Sequence, residues 1–97
     1  MRVPIEVTGT MEQGTVFQES THTGTVGAFG AMIHMSRLLP LNAEIEVTNR
    51  FSQQTERFRV VWVGPQHAGG LWEIGIEAFR TLEDFWGVRF PLKPAQP

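Results

Sequence analysis

The sequence predicts an all-β fold: a small six-stranded antiparallel barrel followed by a short C-terminal helical turn. Apolar and polar residues alternate in several short runs, and this period of two is typical of half-buried strands. Glycine, proline and asparagine separate the runs at spacings found in sandwiches and barrels. Closure into a barrel is expected because it removes the exposed edges of so small a sheet.

Each predicted strand carries its apolar residues on one face. Ile74 and Ile76, for example, alternate with polar or small residues and would point to the same side of a sheet. The segment from Gly64 to Gly70 contains three glycines and predicts a wide hairpin between the last two strands. Asn42 suits a left-handed turn residue before the fourth strand. The six runs are Val3–Val7, Thr15–Thr25, Ala31–Met35, Glu44–Thr48, Arg57–Trp62 and Trp72–Ala78.

The segment after the last strand predicts one short helical turn, from Leu82 to Trp86. Thr81 suits its N-cap, and Gly87 suits its end. Isolated helices of this length do not persist in water, so packing has to hold the turn in place. We expect Phe85, Trp86 and Phe90 to provide that packing, with Trp86 and Phe90 as part of the core.

Length and composition indicate one barrel domain over residues 1–91 and a short tail over residues 92–97, which contains two prolines. The net charge of −2 argues against binding to a nucleic-acid polymer or an anionic membrane. The chain has no cysteine, no apolar run long enough to span a membrane and no signal-peptide pattern. These features favour a cytoplasmic protein without disulfides.

Two glycines, Gly27 and Gly30, interrupt a run that otherwise resembles a strand. Glycine weakens a strand unless the backbone bends, adopts a positive φ or approaches another group closely. Phe29 lies between them, where a large apolar side chain is unexpected. It either folds back onto the end of the barrel or projects as an anchor for a partner or a stacking surface for a base.

The order of these motifs resembles the PilZ domain family, over roughly Arg2 to Pro91. The matching pieces are Val3–Gly9, Thr25–Ala31, Arg59–Gly64 followed by Glu73–Phe79, and Phe85–Pro91. The resemblance implies a bacterial regulatory protein with a six-stranded barrel, which in many members binds cyclic di-GMP. In those members an Arg-x-x-x-Arg segment ahead of the first strand clamps the phosphates. An Asp/Asn-x-Ser-x-x-Gly turn holds the other side of the ligand.

This chain departs from the family pattern at both elements. Arg2 stands for only the second arginine, and no Arg-x-x-x-Arg is present. Thr25 replaces the acid, Gly27 replaces the serine, and Gly30 alone matches. The residues that the resemblance places near cyclic di-GMP are therefore Arg2, Thr25 and Gly30. Each lost hydrogen bond to a charged group would remove about 1.5–3 kcal/mol.

The favoured hypothesis is a degenerate PilZ-like module that is not an enzyme and acts in regulation or protein interaction, with Phe29 as a candidate partner contact. It would bind cyclic di-GMP weakly or not at all and would need no cofactor. The alternative is a genuine cyclic di-GMP receptor whose arginine clamp lies upstream in a longer natural chain or comes from another chain. The partner is not encoded, and a homodimer is plausible if an edge strand stays open.

The histidines leave a third hypothesis, a small metal-dependent enzyme. His22, His34 and His67 with Glu19 or Glu73 contain the right ligand types. Their sequence spacing does not encode a site, so we expect three unrelated surface histidines and no metal.

Arginines and glutamates on the last two strands allow two interpretations. Arg57 and Arg59 share one strand face, and Glu73 and Glu77 share the face of the next strand. They are expected to form cross-strand ion pairs on the solvated exterior, or else a charged patch for a protein partner.

Overall fold

A computed structural model describes residues 2–11 and 13–87, which form a closed barrel of six antiparallel strands. Neighbouring strands follow the order β1-β2-β3-β6-β5-β4, and β4 pairs with β1 to close the sheet. This confirms the predicted all-β barrel and its strand count. The strands are β1 (Pro4–Thr10), β2 (Val16–Val26), β3 (Gly30–Met35), β4 (Glu44–Asn49), β5 (Thr55–Gln66) and β6 (Trp72–Ala78).

The interior is filled by the apolar residues that alternate along the strands. Ile5 and Val7 of β1 and Val47 of β4 have no exposed surface, because all three side chains turn inward and Val7 faces Val47 across the paired strands. Burying such a side chain contributes about 1.5–3 kcal/mol. The remaining buried apolar residues are Val3, Phe17, Ile33, Met35, Leu39, Ile45, Phe58, Val60, Ile74, Ile76, Leu82, Phe85 and Trp86.

Phe85 and Trp86 close one end of the barrel and are buried, which confirms the packing predicted for both. The two rings meet edge to face at 4.7 Å, and the Trp86 ring lies 5.9 Å from that of Phe58. The predicted helical turn is a single hydrogen-bonded turn, in which Gly87 N–H donates to Asp84 C=O. Residues 2–11 and 13–87 contain no helix. Phe90 and the predicted tail, 92–97, lie outside the described residues.

Buried Asn49 ties this closing segment to the sheet. Its side-chain amide donates to Phe85 C=O at 2.7 Å, and its side-chain oxygen accepts from Phe51 N–H at 2.9 Å. Both partners lie outside regular strands, so their backbone groups bond to the Asn49 side chain instead of to a neighbouring strand. Asn49 itself is only 1% exposed, and both its side-chain nitrogen and its side-chain oxygen have a hydrogen-bond partner, as buried polar groups require.

The β5–β6 connection is tighter than predicted. β5 continues to Gln66, and the turn is closed by His67 N–H to Leu71 C=O at 2.9 Å and Gly70 N–H to His67 C=O at 2.8 Å. Of the three glycines in Gly64–Gly70, only Gly70 has a positive φ, +86°. The prediction of a wide hairpin was therefore wrong, because Gly64 lies inside the strand. Asn42 does adopt the predicted left-handed conformation, with φ +71°.

Each described strand has a hydrogen-bonded neighbour on both sides. The condition attached to the homodimer hypothesis, an open edge strand, is therefore not met among these strands. Within the described residues no helix is long and apolar enough to cross a membrane.

Candidate functional site

The two glycines of the β2–β3 turn, Gly27 and Gly30, differ in how much space surrounds them. A Cβ atom at Gly30 would lie 2.0 Å from the backbone oxygen of Ile76, whereas one at Gly27 would meet nothing closer than 3.9 Å. Neither glycine has a positive φ. Gly30 is therefore needed because β3 and β6 approach closely, which is one of the three reasons that the sequence offered for a glycine in this run. No steric requirement fixes glycine at position 27.

Phe29 projects from this turn rather than folding back, with 61% of its surface exposed. Its backbone is held on both sides. Phe29 C=O accepts from Ala78 N–H at 2.8 Å, and Ala28 C=O accepts from Leu82 N–H at 2.7 Å. The turn itself is closed by Gly27 N–H to Gly30 C=O at 2.9 Å. The side chain is thus exposed on a fixed backbone.

A second exposed phenylalanine follows the strand that pairs with Phe29. Phe79 is 54% exposed and comes directly after Ala78, whose N–H binds Phe29 C=O. The guanidinium of Arg57 lies 5.6 Å from the Phe79 ring centre. We call Phe29 and Phe79, with the turn between β2 and β3, the Phe29 surface. The backbones of the two residues lie on neighbouring segments at one end of the barrel, and Arg57 adds a cation beside Phe79.

The structure gives a separate partner to each of the three residues that the resemblance places near cyclic di-GMP. Arg2 is exposed and its Nη2 lies 3.1 Å from Nε2 of His22. Thr25 is exposed and pairs with Met32 across the β2–β3 ladder. Gly30 pairs with Glu77 of β6. Each therefore has a different neighbour in the barrel.

The three histidines gather on the outer face of the barrel. The ring centres of His22 and His34 are 5.1 Å apart, and those of His34 and His67 are 6.4 Å apart. His67 Nε2 also pairs with the Glu73 carboxylate. The expectation of three unrelated histidines was wrong, because the β2–β3 register sets His22 opposite His34 and the β5–β6 turn places His67 beside them. We call His22, His34 and His67 the histidine cluster.

The cluster borders an open pocket of about 600 Å³. Burial lowers the pKa of His22, and the positive charges of Arg2 and of His34 lower it further. Because a guanidinium only donates hydrogen bonds, Nε2 of His22 accepts from Arg2 in this contact. Among the described residues, no group of three histidine or acidic side chains has a geometry that would hold a metal ion. The remaining lining residues are Thr23, Gly24, Gly69, Leu71 and Glu73.

The predicted cross-strand ion pairs are present in part. Arg59 pairs with Glu77 at 2.9 Å on facing strands, as expected. Arg57 instead approaches Glu44 of β4 at 3.7 Å. The side chains of Arg59 and Glu77 are 45% and 49% exposed, so solvent screens their attraction and the pair adds little stability.

Comparisons with protein-family models, with curated proteins and with solved structures give no match for this chain. Its function is therefore inferred from the contacts of its own residues.

Proposed function

We propose that this chain is a PilZ-like regulatory module that is not an enzyme and docks a protein partner through the Phe29 surface. The observation that carries the proposal is Phe29 itself, 61% exposed on a backbone fixed by three hydrogen bonds. The closed six-stranded barrel agrees with the fold that the family resemblance implies.

The exposure of Phe29 carries a cost in stability. Enclosing a phenylalanine side chain stabilises a protein by about 1.5–3 kcal/mol, and this stabilisation is forgone here. Scattered exposed apolar residues are ordinary, but Phe29 and Phe79 lie on hydrogen-bonded neighbouring segments. Aromatic side chains are enriched among residues that dominate binding energies. A fixed backbone also reduces the entropy lost on docking.

The proposal includes weak or no binding of cyclic di-GMP. Thr25 carries no charge, Arg2 already contacts His22, and Gly30 is accounted for by the approach of Ile76. A single exposed arginine offers one bidentate contact where a clamp needs several. Calorimetric titration of this chain with cyclic di-GMP at micromolar concentration should give no saturating heat. Tight binding would favour the receptor alternative instead.

The docking surface is tested by photo-crosslinking. A benzophenone amino acid is placed at position 29 and, as the matched control, at position 41. Leu41 is 58% exposed but lies between the end of β3 and the start of β4, at the opposite end of the barrel. We expect a discrete crosslinked protein from position 29 and none of the same mass from position 41. The same product from both positions, or none from position 29, would contradict the proposal.

A further inference from the structure

We propose that the indole ring of Trp62 is a stacking surface for one pyranose ring of a neutral saccharide, on the outer face of β5 and β6. The site shares no residue with the Phe29 surface and goes beyond the proposed function. Trp62 is 48% exposed and its neighbour Val61 is 44% exposed, because β5 shifts its register against β6 between Val60 and Trp62. Single exposed apolar residues are ordinary, but Trp62 is distinguished by how its ring is held.

The indole ring of Trp62 lies with one face on Gly64 of the same strand. A Cβ atom built at Gly64 would stand 2.3 Å from Cη2, 2.7 Å from Cζ3 and 2.9 Å from Cζ2 of that ring. A point directly above Cη2 is nearly as close to the two neighbouring ring atoms, whereas a point beyond the ring edge is clearly farther from them. The contact is therefore face-on. The opposite face of the ring points away from the strand, in agreement with the exposure of Trp62.

Two glycines inside strands make room for this ring. Neither Gly64 nor Gly75 has a positive φ, so backbone conformation does not require glycine at either position. At both positions the three nearest atoms that a Cβ would meet belong to Trp62, and at Gly75 the first is the Trp62 Cβ at 3.0 Å. Glycine weakens a strand and often marks a place where another group approaches closely. Packing on the sheet limits the ring to few orientations before a ligand binds, so less entropy is lost on binding.

Charged side chains flank the ring along β6. Glu73 and Glu77 lie two residues to either side of Gly75 and share its outer face. Glu77 pairs with Arg59 at 2.9 Å, and Glu73 pairs with His67. These pairs use only part of the hydrogen-bonding capacity of their members, since a carboxylate accepts about four hydrogen bonds and a guanidinium donates five. The apolar ring face is therefore bordered by donors and acceptors whose charges are already balanced.

A pyranose ring fits this combination better than other flat ligands do. Its C–H groups meet the negative face of an indole, and its hydroxyl groups both donate and accept hydrogen bonds. A nucleotide would bring a phosphate, whereas Arg59 and His67 are already paired and the chain has a net charge of −2. A proline ring would stack on the indole but has no N–H donor for the carboxylates.

The test is NMR titration of the full chain with two neutral ligands, methyl β-glucopyranoside and methyl β-galactopyranoside. The indole Nε1–H signal of Trp62 and the amide signals of β6 should shift and saturate, with a dissociation constant on the order of 1–10 mM for at least one ligand. Trp86 is buried, so its indole signal should stay in place. Trp62→Ala should weaken binding at least about tenfold, whereas Val61→Ala, at the neighbouring exposed position, should change affinity less than about twofold.

Gly64→Ala tests the orientation of the ring without removing a group that contacts the ligand. The added methyl group would occupy space now filled by the ring, so the indole has to swing away from the strand. Affinity should fall by about fivefold or more, because the ring is no longer held for stacking. Gly69→Ala is the matched control, since a Cβ at Gly69 meets nothing within 4 Å and its φ is not positive. It should change affinity less than about twofold.

Three results would overturn the proposal. The first is the absence of any shift of the Trp62 signal with either glycoside up to about 50 mM. The second is affinity that both Trp62→Ala and Gly64→Ala leave unchanged, and the third is tighter binding of guanosine or of a triproline peptide at Trp62. Thermal unfolding should confirm that the variants fold. Crosslinking from position 29 should be the same in Trp62→Ala as in the parent chain, which separates failure of this site from failure of the Phe29 surface.

Discussion

A methyl group added at Gly30 would collide with the backbone of β6, whereas one added at Gly27 would enter open space. The added Cβ at Gly30 would stand 2.0 Å from the oxygen of Ile76 and 3.0 Å from its carbonyl carbon. Observed Cβ contacts essentially never fall below 3.0 Å, so β3 and β6 would have to separate by about the 1 Å difference. The Gly27→Ala variant is the matched control, since it lies in the same turn.

The expected magnitude follows from what has to move. Overpacking usually lowers the free energy of unfolding by about 1–3 kcal/mol. The obstacle at Gly30 is backbone, which yields less easily than a side chain, so we expect Gly30→Ala near the upper end of that range. In a domain of this size, 1 kcal/mol shifts Tm by roughly 4–8 °C, so Tm should fall by about 10–25 °C. Gly27→Ala should instead stabilise the barrel by about 0.4–1 kcal/mol, because alanine restricts the unfolded chain.

The assay is urea and thermal unfolding of the two variants beside the parent chain, followed by circular dichroism. The free energy of unfolding should separate the two variants by roughly 3 kcal/mol. Equal stability of Gly30→Ala and the parent chain would refute the close approach of β3 and β6. A Gly27→Ala variant less stable than Gly30→Ala would refute the assigned roles of the two glycines.

Three further substitutions test the closing segment and the histidine cluster by the same unfolding assay. Asn49→Ala should lose about 1–3 kcal/mol, because Phe85 C=O is left buried without its donor; a loss below 0.5 kcal/mol would contradict that contact. Trp86→Ala should lose about 3–5 kcal/mol through the cavity left beside Phe58, and a wild-type Tm would show that the ring is not in the core. The lowered pKa of His22 means that the folded chain binds fewer protons than the unfolded chain as the pH falls through 6.5. The free energy of unfolding should therefore decline from pH 7.5 to 5.5, and it should decline less in the His22→Gln variant. An equal decline in both proteins would show that His22 does not contribute to the pH dependence of stability.

The barrel was predictable from the sequence because its signals are local. Alternation in β1, β4 and β6 repeats every two residues and marks the buried face directly. The β5–β6 turn was misjudged because Gly64 looked like a turn residue. In the structure Gly64 lies within β5 under the ring of Trp62, where a Cβ would come within 2.3 Å of that ring. That contact arises from side-chain packing in the folded strand, and the preference of glycine for turns carries no information about it.

The candidate sites were predictable only in part. Phe29 stood out because a large apolar residue is unexpected between two glycines. Its exposure agrees with the alternative in which the side chain projects from the turn rather than folding back onto the barrel. The histidine cluster was missed because its members lie 12 and 33 residues apart along the chain. Extending the β2–β3 register, in which Thr23 faces Ile33, would have placed His22 opposite His34. The placement of His67 depends on the length of β5, which the sequence did not indicate.

The central claim, that Phe29 anchors a protein partner, is tested most directly by the affinity of the crosslinked partner for two alanine variants. Phe29→Ala should weaken binding by about 30-fold or more, which corresponds to the roughly 2 kcal/mol that defines a dominant contact. Leu41→Ala, at the opposite end of the barrel, should leave the affinity unchanged within about twofold. Equal affinities for Phe29→Ala and the parent chain, or a loss confined to Leu41→Ala, would contradict the account.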